Sequence, residues 1–520
     1  MPLIDQLNDL LSSLGGFGPI LWLSFAFCSL LIAELILART TSSAQKRKWL
    51  AIVTILALGI TTYWTVASST RGFLFLHLLF VDNQAIFLQL LIALAGIFVV
   101  LYELITTSDH VVTSTASSAR SERLPVEWYS LLLAILIGLF LMTISVNLLS
   151  IYLSIELVSI CSYLLTALTA ERKTSEGGLK YLLFGAVSSA IMLYGMSLLY
   201  GITGTLDLTT EAFGMELAHQ DSAVVIVAML LTLAGLLFKL AGVPFHIWTP
   251  DAYEAAPIPV AAFFSVAPKA AAILVLMRLV TVLPAELSTA DMILGASTAS
   301  LQTPLAVLAL AGILIGNLSA LRQTNAKRLL AYSTIAHAGF LLVGVVAFNQ
   351  AGFEAVFFYI STYLFISLAA FFLIDLLIRR VDQEESVDPF TLSRLTGLGA
   401  KFPFIAVALT VVMLALTGLP PTVGFTAKLL AFSALFDAYQ HSSDNWLLAL
   451  FVLGLLNALI SLVYYLKIPF LLFFRATPES NRIDTSELPV SVLLLTLVLV
   501  IPIIGLFVKP DWLLNVMTGW

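Results

Sequence analysis

Cysteine is almost absent from this chain of 520 residues. Its two cysteines, Cys28 and Cys161, lie in separate apolar runs, and no CxxC spacing occurs. A disulfide framework, a zinc site and an iron–sulfur cluster therefore all lack ligands. We interpret both cysteines as buried thiols.

Sequence features for binding nucleotides and nucleic acids are missing as well. The chain contains neither a GxGxxG nor a P-loop spacing, so it offers no means of binding NADH or ATP by itself. Only 11% of its residues are charged and the formal net charge is -6, which leaves no basic footprint for nucleic acid. We therefore expect no cofactor or metal in this chain and no nucleic acid among its partners.

Apolar residues, in contrast, dominate the sequence. They make up 60% of the chain, and the mean hydropathy is +1.02. Runs of about twenty apolar residues, the length of a membrane-spanning helix, recur along the whole chain. No long stretch shows the solvated face of a soluble helix. The predicted fold class is therefore an all-α polytopic membrane protein.

Apolar windows separated by helix breakers predict about fourteen membrane spans. The first window is too long for a signal peptide and ends in no small-residue cleavage pattern, so we expect it to be retained. The twelfth is too long for one crossing and is interrupted at GLPP. The predicted spans lie near residues 17–38, 48–67, 84–105, 127–145, 148–169, 179–202, 223–241, 259–281, 304–321, 328–347, 353–378, 404–437, 446–474 and 489–508.

Basic residues alternate between the connections in agreement with this count. They concentrate in the connections after odd-numbered spans, except the seventh, whereas the connections after even-numbered spans hold few. By the positive-inside rule, the odd connections face the cytoplasm and both termini face the other side. The basic residues of the odd connections are Arg39, Lys46, Arg47, Lys48, Arg120, Arg123, Arg172, Lys173, Arg322, Lys327, Arg328, Arg379, Arg380, Arg394, Lys401, Arg475 and Arg482.

The seventh and twelfth spans contain similar breaks. AGVPF at Ala241 to Phe245 and TGLPP at Thr417 to Pro421 share a small residue, a glycine, an aliphatic residue and a proline. Proline lacks an N–H and clashes with the preceding turn, so each span is predicted to be a broken helix. Spans 4 to 8 and 9 to 13 then form two sets of five, and the odd offset makes them inverted repeats.

These patterns predict four divisions of the chain. Residues 1–126 contain the N-terminal helices 1 to 3, and residues 127–285 the first five-helix repeat with helices 4 to 8. Residues 303–475 contain the second repeat with helices 9 to 13, and residues 486–520 the C-terminal helix 14.

Four ionisable residues lie within the predicted spans, namely Glu156, Lys239, Lys269 and Lys428. Charged groups at membrane depth are costly and usually functional. Burial and neighbouring charges change the proton affinity of such groups, so a row of them can pass protons. We therefore predict a proton relay, with a structural ion pair as the alternative for the set.

Other polar residues in or near the spans are secondary candidates. Lys180 opens span 6, where function and snorkelling to the surface are equally plausible. His246 and His337 are candidate proton carriers near neutral pH, or hydrogen-bonding groups of the helix bundle. We expect Asp375 and Arg379, four residues apart, to form a surface ion pair.

Three long motifs give the chain a family resemblance. They are FKLAGVPFHIWTPDAYEAAPIPV, SVAPKAAAILVLMR and GNLSALRQTNAKRLLAYSTIAHAGFLLVG. In these motifs, and across essentially all of spans 4 to 13, the chain resembles the subunit N family of proton-pumping NADH:quinone oxidoreductase, respiratory complex I. The resemblance implies the antiporter-like fold of fourteen helices, with two inverted five-helix repeats and broken helices 7 and 12.

The resemblance also implies roles for the buried charges. Glu156 and Lys239 would form the charge pair of the first half-channel, and Lys269 would be the central connecting lysine. Lys428 would be the terminal lysine of the second half-channel. The sister subunit M generally has a glutamate at this last position, so Lys428 favours subunit N.

The family implies a mechanism and a set of partners. Quinone reduction in neighbouring chains would drive proton translocation here, and this chain would hold no redox centre. Quinone, NADH, FMN and iron–sulfur clusters are expected in partner subunits. The expected partners are other membrane subunits of complex I, including subunit M and small membrane subunits, together with lipids of the bacterial plasma (inner) membrane.

Two alternative functions remain open from the sequence. A cation/proton antiporter of the Mrp type shares the fold and much of the lysine pattern. A secondary solute transporter would need a pocket of convergent polar groups, whereas the few charges here look more like a relay. Co-purification discriminates these possibilities, because a complex I subunit is expected to purify with a large assembly.

The basic bias predicts that both termini lie in the periplasm and that the connection from Arg39 to Lys48 lies in the cytoplasm. With the two native cysteines replaced, a cysteine at Ser43 should resist a membrane-impermeant thiol reagent added to intact cells. A cysteine at Gln220, in the acidic connection after span 6, is the control that should react. Labelling at Ser43 from outside would contradict the predicted orientation.

Overall fold

Long helices account for most of the structure, a computed structural model that describes residues 3–37, 43–68, 70–107, 124–281, 295–381, 388–476, 483 and 488–518. Among the predicted basic positions, Arg39, Arg120, Arg123 and Arg482 lie outside these residues. The helices are α1 (Leu3–Gly16), α2 (Gly18–Leu37), α3 (Ser43–Ala67), α4 (Asn83–Thr107), α5 (Trp128–Ile144), α6 (Leu148–Ala167), α7 (Arg172–Thr203), α8 (Glu211–Ala218), α9 (Ser222–Leu240), α10 (Trp248–Ala255), α11 (Ile258–Thr281), α12 (Gly295–Leu321), α13 (Ala326–Val346), α14 (Gln350–Ile378), α15 (Pro403–Thr417), α16 (Val423–Ser442), α17 (Asn445–Phe474), α18 (Val490–Val508) and α19 (Asp511–Thr518).

The all-α membrane fold is confirmed. Within the described ranges, 12 helices are long and apolar enough to cross a bilayer, and α5 and α15 are shorter apolar helices. The predicted spans correspond in order to α2 to α7, α9 with α10, α11 to α14, α15 with α16, α17 and α18. Because hydrophobicity on all sides marks a buried or lipid-facing helix, composition alone located these spans.

Several short elements at the ends of the spans were not predicted. The helices α1, α8 and α19 lie outside the apolar runs, and strands β1 (Gly72–Leu74) and β2 (Leu79–Val81) form an antiparallel hairpin. The hairpin turn is held by α1, because Asp9 accepts a hydrogen bond from the Leu76 N–H at 3.0 Å. These elements are too short for a periodicity signal to identify them.

The two predicted helix breaks are present and have the same geometry. The residue after α9, Ala241, has φ 59°, and the residue after α15, Gly418, has φ 85°. The next N–H in each break reaches back five residues, from Gly242 to the Leu237 carbonyl at 2.7 Å and from Leu419 to the Leu414 carbonyl at 3.1 Å. Both ends are therefore Schellman motifs.

The Schellman geometry corrects the predicted alignment of the two breaks by one residue. The sequence match paired Gly242 with Gly418, whereas the structure pairs Ala241 with Gly418, since these two residues hold the left-handed conformation. Glycine favours this conformation, but alanine occupies it in the first break. The glycine in AGVPF therefore does not mark the left-handed residue of the first break.

Equivalent helices in the two halves have equivalent neighbours. Helix α5 packs on α6 as α12 packs on α13, and α7 contacts α9 and α10 as α14 contacts α15 and α16. Helix α11 contacts α9, and α17 contacts α15. This order of contacts agrees with two sets of five spans, and the residue limits of the four divisions stay a prediction.

The interior of the molecule lies where the two halves meet. Almost every residue of α11, α13 and α14 is buried. Helix α10 packs against α13, and α11 packs against α14, so the first half contacts the second through the segments that follow the first break. This junction positions the lysines on α9, α11 and α16.

Two predictions about burial were wrong. Cys28 is exposed on the outer side of α2, whereas Cys161 is buried as predicted. Asp375 pairs with Arg379 at 2.8 Å, but its side chain is fully buried rather than on the surface. The reason is that α4 covers this end of α14, where the Tyr102 hydroxyl donates a second hydrogen bond to the Asp375 carboxylate.

Helix α7 contains two glycines that test how closely it packs on α9. A Cβ at Gly195 would lie 2.3 Å from the Thr232 backbone nitrogen, whereas a Cβ at Gly201 would meet nothing within 4 Å. We expect Gly195→Ala to force the helices apart and to lower the free energy of unfolding by about 1–3 kcal/mol. Gly201→Ala should be neutral or stabilising, because alanine favours helices by up to about 1 kcal/mol.

The two variants can be compared by thermal unfolding of the detergent-solubilised protein. A lower midpoint for Gly195→Ala than for Gly201→Ala is the expected result. Equal midpoints would contradict the close approach of α7 and α9 at Gly195.

Candidate functional site

Lys239 lies in the last turn of α9, immediately before the first break, and its side chain is only 2% exposed. Its Nζ atom lies 5.7 Å from the ring centre of Tyr163, 5.5 Å from that of Tyr181 and 5.7 Å from that of Phe238. The Nζ atom has no hydrogen-bond partner. Aromatic faces attract cations, so these rings form the environment of the ammonium group.

Glu156, the predicted partner of Lys239, lies on α6 and is half-buried. Its Oε1 atom is buried and has no hydrogen-bond partner. The carboxylate acts electrostatically on Lys239, but the two side chains form no ion pair among those found in the described residues. The structure therefore brings the two charges near each other without direct contact.

The aromatic environment of Lys239 depends on close packing around the first break. Gly185 on α7 makes room for Tyr163, since a Cβ there would lie 1.8 Å from the Tyr163 hydroxyl. Tyr181 stacks on Trp248 with ring centres 4.0 Å apart. The Trp248 indole in turn donates to the Phe238 carbonyl at 3.2 Å, which also accepts a hydrogen bond from the Ala241 N–H at 3.1 Å.

Lys269 lies in the middle of α11 and is fully buried. Its ammonium donates to the Thr334 carbonyl on α13 at 2.7 Å. The Thr334 hydroxyl lies 3.3 Å from the hydroxyl of Tyr363 on α14. The central lysine is thus bonded to the backbone of the second half, at a residue whose hydroxyl lies beside that of Tyr363.

His337 follows Thr334 by three residues on α13 and is also buried. Its Nδ1 atom lies 2.7 Å from the Tyr359 hydroxyl, and its Nε2 atom lies 3.2 Å from the Tyr465 hydroxyl. The centre of its ring lies 4.7 Å from that of Tyr363 and 6.0 Å from that of Phe340. His337 therefore lies between the surroundings of Lys269 and Lys428, with tyrosine partners that the sequence did not predict.

Lys428 lies on α16, just after the second break, and is buried. Its ammonium donates to the carbonyls of Leu416 and Thr417 at 3.1 and 2.7 Å. These carbonyls end α15 and lack intrahelical partners. The Nζ atom also lies 4.5 Å from the ring centre of Phe340. The second break therefore binds its lysine directly through the backbone.

The secondary candidates have surface positions or lie at the break. Lys180 is 43% exposed and pairs with Glu176 at 2.9 Å and with Asp251 at 3.1 Å. His246 is half-buried in the first break, two residues after Pro244. Neither residue contacts the buried lysines through a hydrogen bond in the described part of the chain.

Two carboxylates on α10, Asp251 and Glu254, were not predicted as site residues, although both belong to the motif WTPDAYEA. Arg328 on α13 binds Asp251 at 2.8 Å and Glu254 at 2.7 Å. Lys173 and Lys180 on α7 add ion pairs to Glu254 and Asp251 at 2.9 and 3.1 Å. We call these five residues the α10 charge cluster. It joins the segment after the first break to both halves.

Asp388 extends this cluster into the connection after α14. It accepts hydrogen bonds from the Phe390 N–H at 3.0 Å and the Asn325 amide at 2.9 Å, and Lys173 lies 3.5 Å away. Burial acts to raise the pKa of Asp388, but these three donors outweigh it and hold the pKa below its ordinary value. The resulting stabilisation is present above the unfolded-state pKa and is lost as the pH falls through the folded-state pKa.

The fold and the buried lysines define an antiporter-like membrane subunit. The family described as NADH:quinone oxidoreductase/Mrp antiporter, TM, matches residues 145–461. Respiratory complex I from Thermus thermophilus with bound aureothin contains a similar chain, with TM-score 0.73, 28% identity and coverage of 96% of this chain and 98% of that one. A chain of the Mrp complex from Dietzia has TM-score 0.74 at 21% identity, covering 97% and 96%, a likeness of fold.

Curated relatives define the branch of this class. NADH-quinone oxidoreductase subunit N of Chlorobium chlorochromatii is 37% identical over 92% of this chain and 88% of its own length. A subunit N of Sorangium cellulosum is 39% identical over 88% of each chain. The chain therefore belongs to the subunit N family of NADH-quinone oxidoreductases, which confirms the resemblance found in its motifs.

Proposed function

We propose that this chain, a proton-translocating membrane subunit of NADH:quinone oxidoreductase, passes protons along Glu156, Lys239, Lys269 and Lys428. The observation that carries the proposal is the state of the three lysines. Each is buried at membrane depth, and none forms an ion pair with a carboxylate among the described residues. Ionisable residues within membrane spans usually mark ion or proton pathways, so three buried lysines without a carboxylate partner among these residues support a titratable role.

The contacts of the lysines suit proton transfer. Aromatic rings and backbone carbonyls are neutral, so they stabilise the protonated lysine less strongly than a carboxylate would. The lysine can therefore release its proton more easily. A charge that moves near Glu156 then changes the proton affinity of Lys239, because the two groups interact electrostatically. Energy released in a neighbouring subunit reaches the relay through this pair.

The second half of the relay begins at Lys269. Its ammonium donates to the Thr334 carbonyl, and the hydroxyl of the same residue lies 3.3 Å from the Tyr363 hydroxyl. His337 lies on the next turn of α13, and its ring contacts Phe340, which also contacts Lys428. Hydroxyl and imidazole groups both donate and accept protons. We assign His337 a carrying role between the central and terminal lysines, and Lys180 and His246 roles at the edge of the first half.

The proposal includes the surroundings of the chain. The quinone, NADH, FMN and iron–sulfur clusters belong to partner subunits, and no redox centre is assigned to this chain. The neighbours are subunit M and small membrane subunits, with lipids filling the exposed apolar faces. The assembly lies in the bacterial plasma membrane, with both termini of this chain in the periplasm.

Lys239→Ala tests the first half of the relay. The change removes a titratable group but little packing, so the complex should assemble while proton pumping coupled to quinone reduction falls by about tenfold or more. Pumping is measured in membrane vesicles, and assembly on a native gel. Lys467→Ala is the matched control, because within the described ranges the Lys467 ammonium donates to the Gln323 carbonyl near the end of α12 and to no other group. Normal pumping by an assembled Lys239→Ala complex would refute the relay at this position.

Two changes at Lys428 separate a relay from a fixed charge. Methionine keeps the aliphatic length and removes titration, whereas arginine keeps a positive donor for the Leu416 and Thr417 carbonyls but does not deprotonate. We expect both Lys428→Met and Lys428→Arg to lower pumping by about tenfold or more in the assembled complex. Recovery of parent-level pumping with arginine would show that Lys428 is a structural cation.

A further inference from the structure

Helix α1 turns a polar side toward the protein and an apolar side outward. On the protein side, Ser13 is buried, and Gln6 and Asp9 are half-buried. Five aliphatic residues, each 40–72% exposed, lie at helical spacing on the outer side and form what we call the aliphatic face, namely Ile4, Leu7, Leu10, Leu11 and Leu14. Such a continuous apolar face is unfavourable in water, so it needs a cover.

The polar side of α1 holds a strained turn in the β-hairpin. Phe75, Leu76 and His77 at this turn have φ of 52°, 55° and 68°, a conformation that residues other than glycine adopt only at a cost in energy. Asp9 Oδ2 accepts a hydrogen bond from the Leu76 N–H at 3.0 Å, and Ser13 Oγ accepts one from the Phe75 N–H at 2.9 Å. Backbone strain persists only where neighbouring groups fix it. These two bonds therefore fix the turn, and they also fix the outward orientation of the aliphatic face.

Helix α1 lies where the first span meets the membrane surface. Phe17 alone separates it from α2, and the Phe17 carbonyl accepts hydrogen bonds from the N–H groups of Ile20 and Leu21, both at 3.1 Å. Among the described long apolar helices, α2 and α18 are the least buried by the protein. Exposed residues of α2, such as Leu21 and Phe25, therefore face lipid. The aliphatic face of α1 begins at the end of this lipid-facing surface.

The composition of α1 favours lipid over a protein as the cover. The helix has 14 residues, which is too short to cross a bilayer. Its exposed apolar residues are all aliphatic, whereas protein interfaces depend mainly on aromatic and arginine side chains. Asp5, Asn8 and Ser12 form a third, exposed polar side that can face water while the aliphatic face meets hydrocarbon. The charged residues of α1, Asp5 and Asp9, are acidic, so its attraction to the membrane comes from apolar burial and not from anionic headgroups.

We propose that α1 is an interfacial helix, which lies in the membrane surface with its aliphatic face among the acyl chains of phospholipids. Its polar side anchors the hairpin turn to this surface. The hairpin leads directly into α4, since Asp82 follows β2 and its Oδ1 atom accepts a hydrogen bond from the Ala85 N–H at 2.7 Å. The beginning of the third span is therefore held at a defined depth. The inference depends on the membrane path of the chain and not on the relay.

Photo-crosslinking in native membranes identifies what covers α1. A benzophenone amino acid replaces Leu11 on the aliphatic face, or Asn8 on the polar side as the matched control, in the assembled complex. After irradiation, we expect the probe at Leu11 to add the mass of a phospholipid to the chain with a yield about tenfold or more above that of the probe at Asn8. Mass spectrometry of the purified chain measures both yields.

Two results of this experiment would overturn the inference. A cross-link from the probe at Leu11 to another polypeptide would identify a protein as the cover of α1. Equally low lipid yields at Leu11 and Asn8 would show that the aliphatic face lies in water. If the complex with the probe at Leu11 does not assemble, the same probe at Leu7, which is 56% exposed on the same face, decides between these outcomes.

Hydrogen exchange tests whether α1 anchors the hairpin turn. Asp9→Ala removes the acceptor of the Leu76 N–H, so exchange in the peptide that contains Leu76 should become about tenfold faster or more. Asp9→Asn keeps an acceptor oxygen and should exchange as the parent does. Ser12→Ala is a second control, because the Ser12 hydroxyl donates within α1 to the Asp9 carbonyl at 2.9 Å. Equal exchange in Asp9→Ala and the parent complex would overturn the anchoring of the turn by α1.

Discussion

An ammonium group buried at membrane depth must replace its water with other electron-rich groups, and the architecture of this protein follows from that requirement. Three solutions occur in one chain. Lys239 is surrounded by aromatic rings, Lys269 is bound by a carbonyl of the neighbouring helix, and Lys428 is bound by the carbonyls of a helix end. Among the described residues, no carboxylate forms an ion pair with any of the three lysines, so each lysine is bound without being fixed in its charged form.

The two breaks show how one backbone motif supports two arrangements. Both end a helix in a left-handed residue with the same hydrogen bond five residues back. In the first break, the Trp248 indole donates to the Phe238 carbonyl and the lysine lies before the interruption. In the second, the lysine comes after the interruption and itself satisfies the carbonyls. Repeat symmetry therefore fixes the backbone, while the position of the lysine differs between the halves.

The sequence was sufficient to predict what depends on local composition. Apolar runs predicted the spans, and proline predicted the breaks. Lone charges in apolar runs identified Lys239, Lys269 and Lys428 as candidates. The partners of these charges depend on contacts distant in the sequence, such as Tyr163 beside Lys239, and no local pattern encodes them. The burial of Asp375 and the exposure of Cys28 likewise depend on which helix covers which face. Hydropathy reports that a helix is apolar but not which side meets another helix.

The eight-residue helix α10 shows what such long-range contacts achieve. A helix of this length is not stable in isolation. The free-energy cost of forming its first turn exceeds the gain from the hydrogen bonds of two turns. Its carboxylates Asp251 and Glu254 lie one turn apart, and Arg328 from the other half binds both. The helical order of α10 is therefore a joint property of the two repeats. Loss of the contacts from either repeat would unfold the same two turns of α10. The helicity of this segment therefore depends on the correct packing of both repeats.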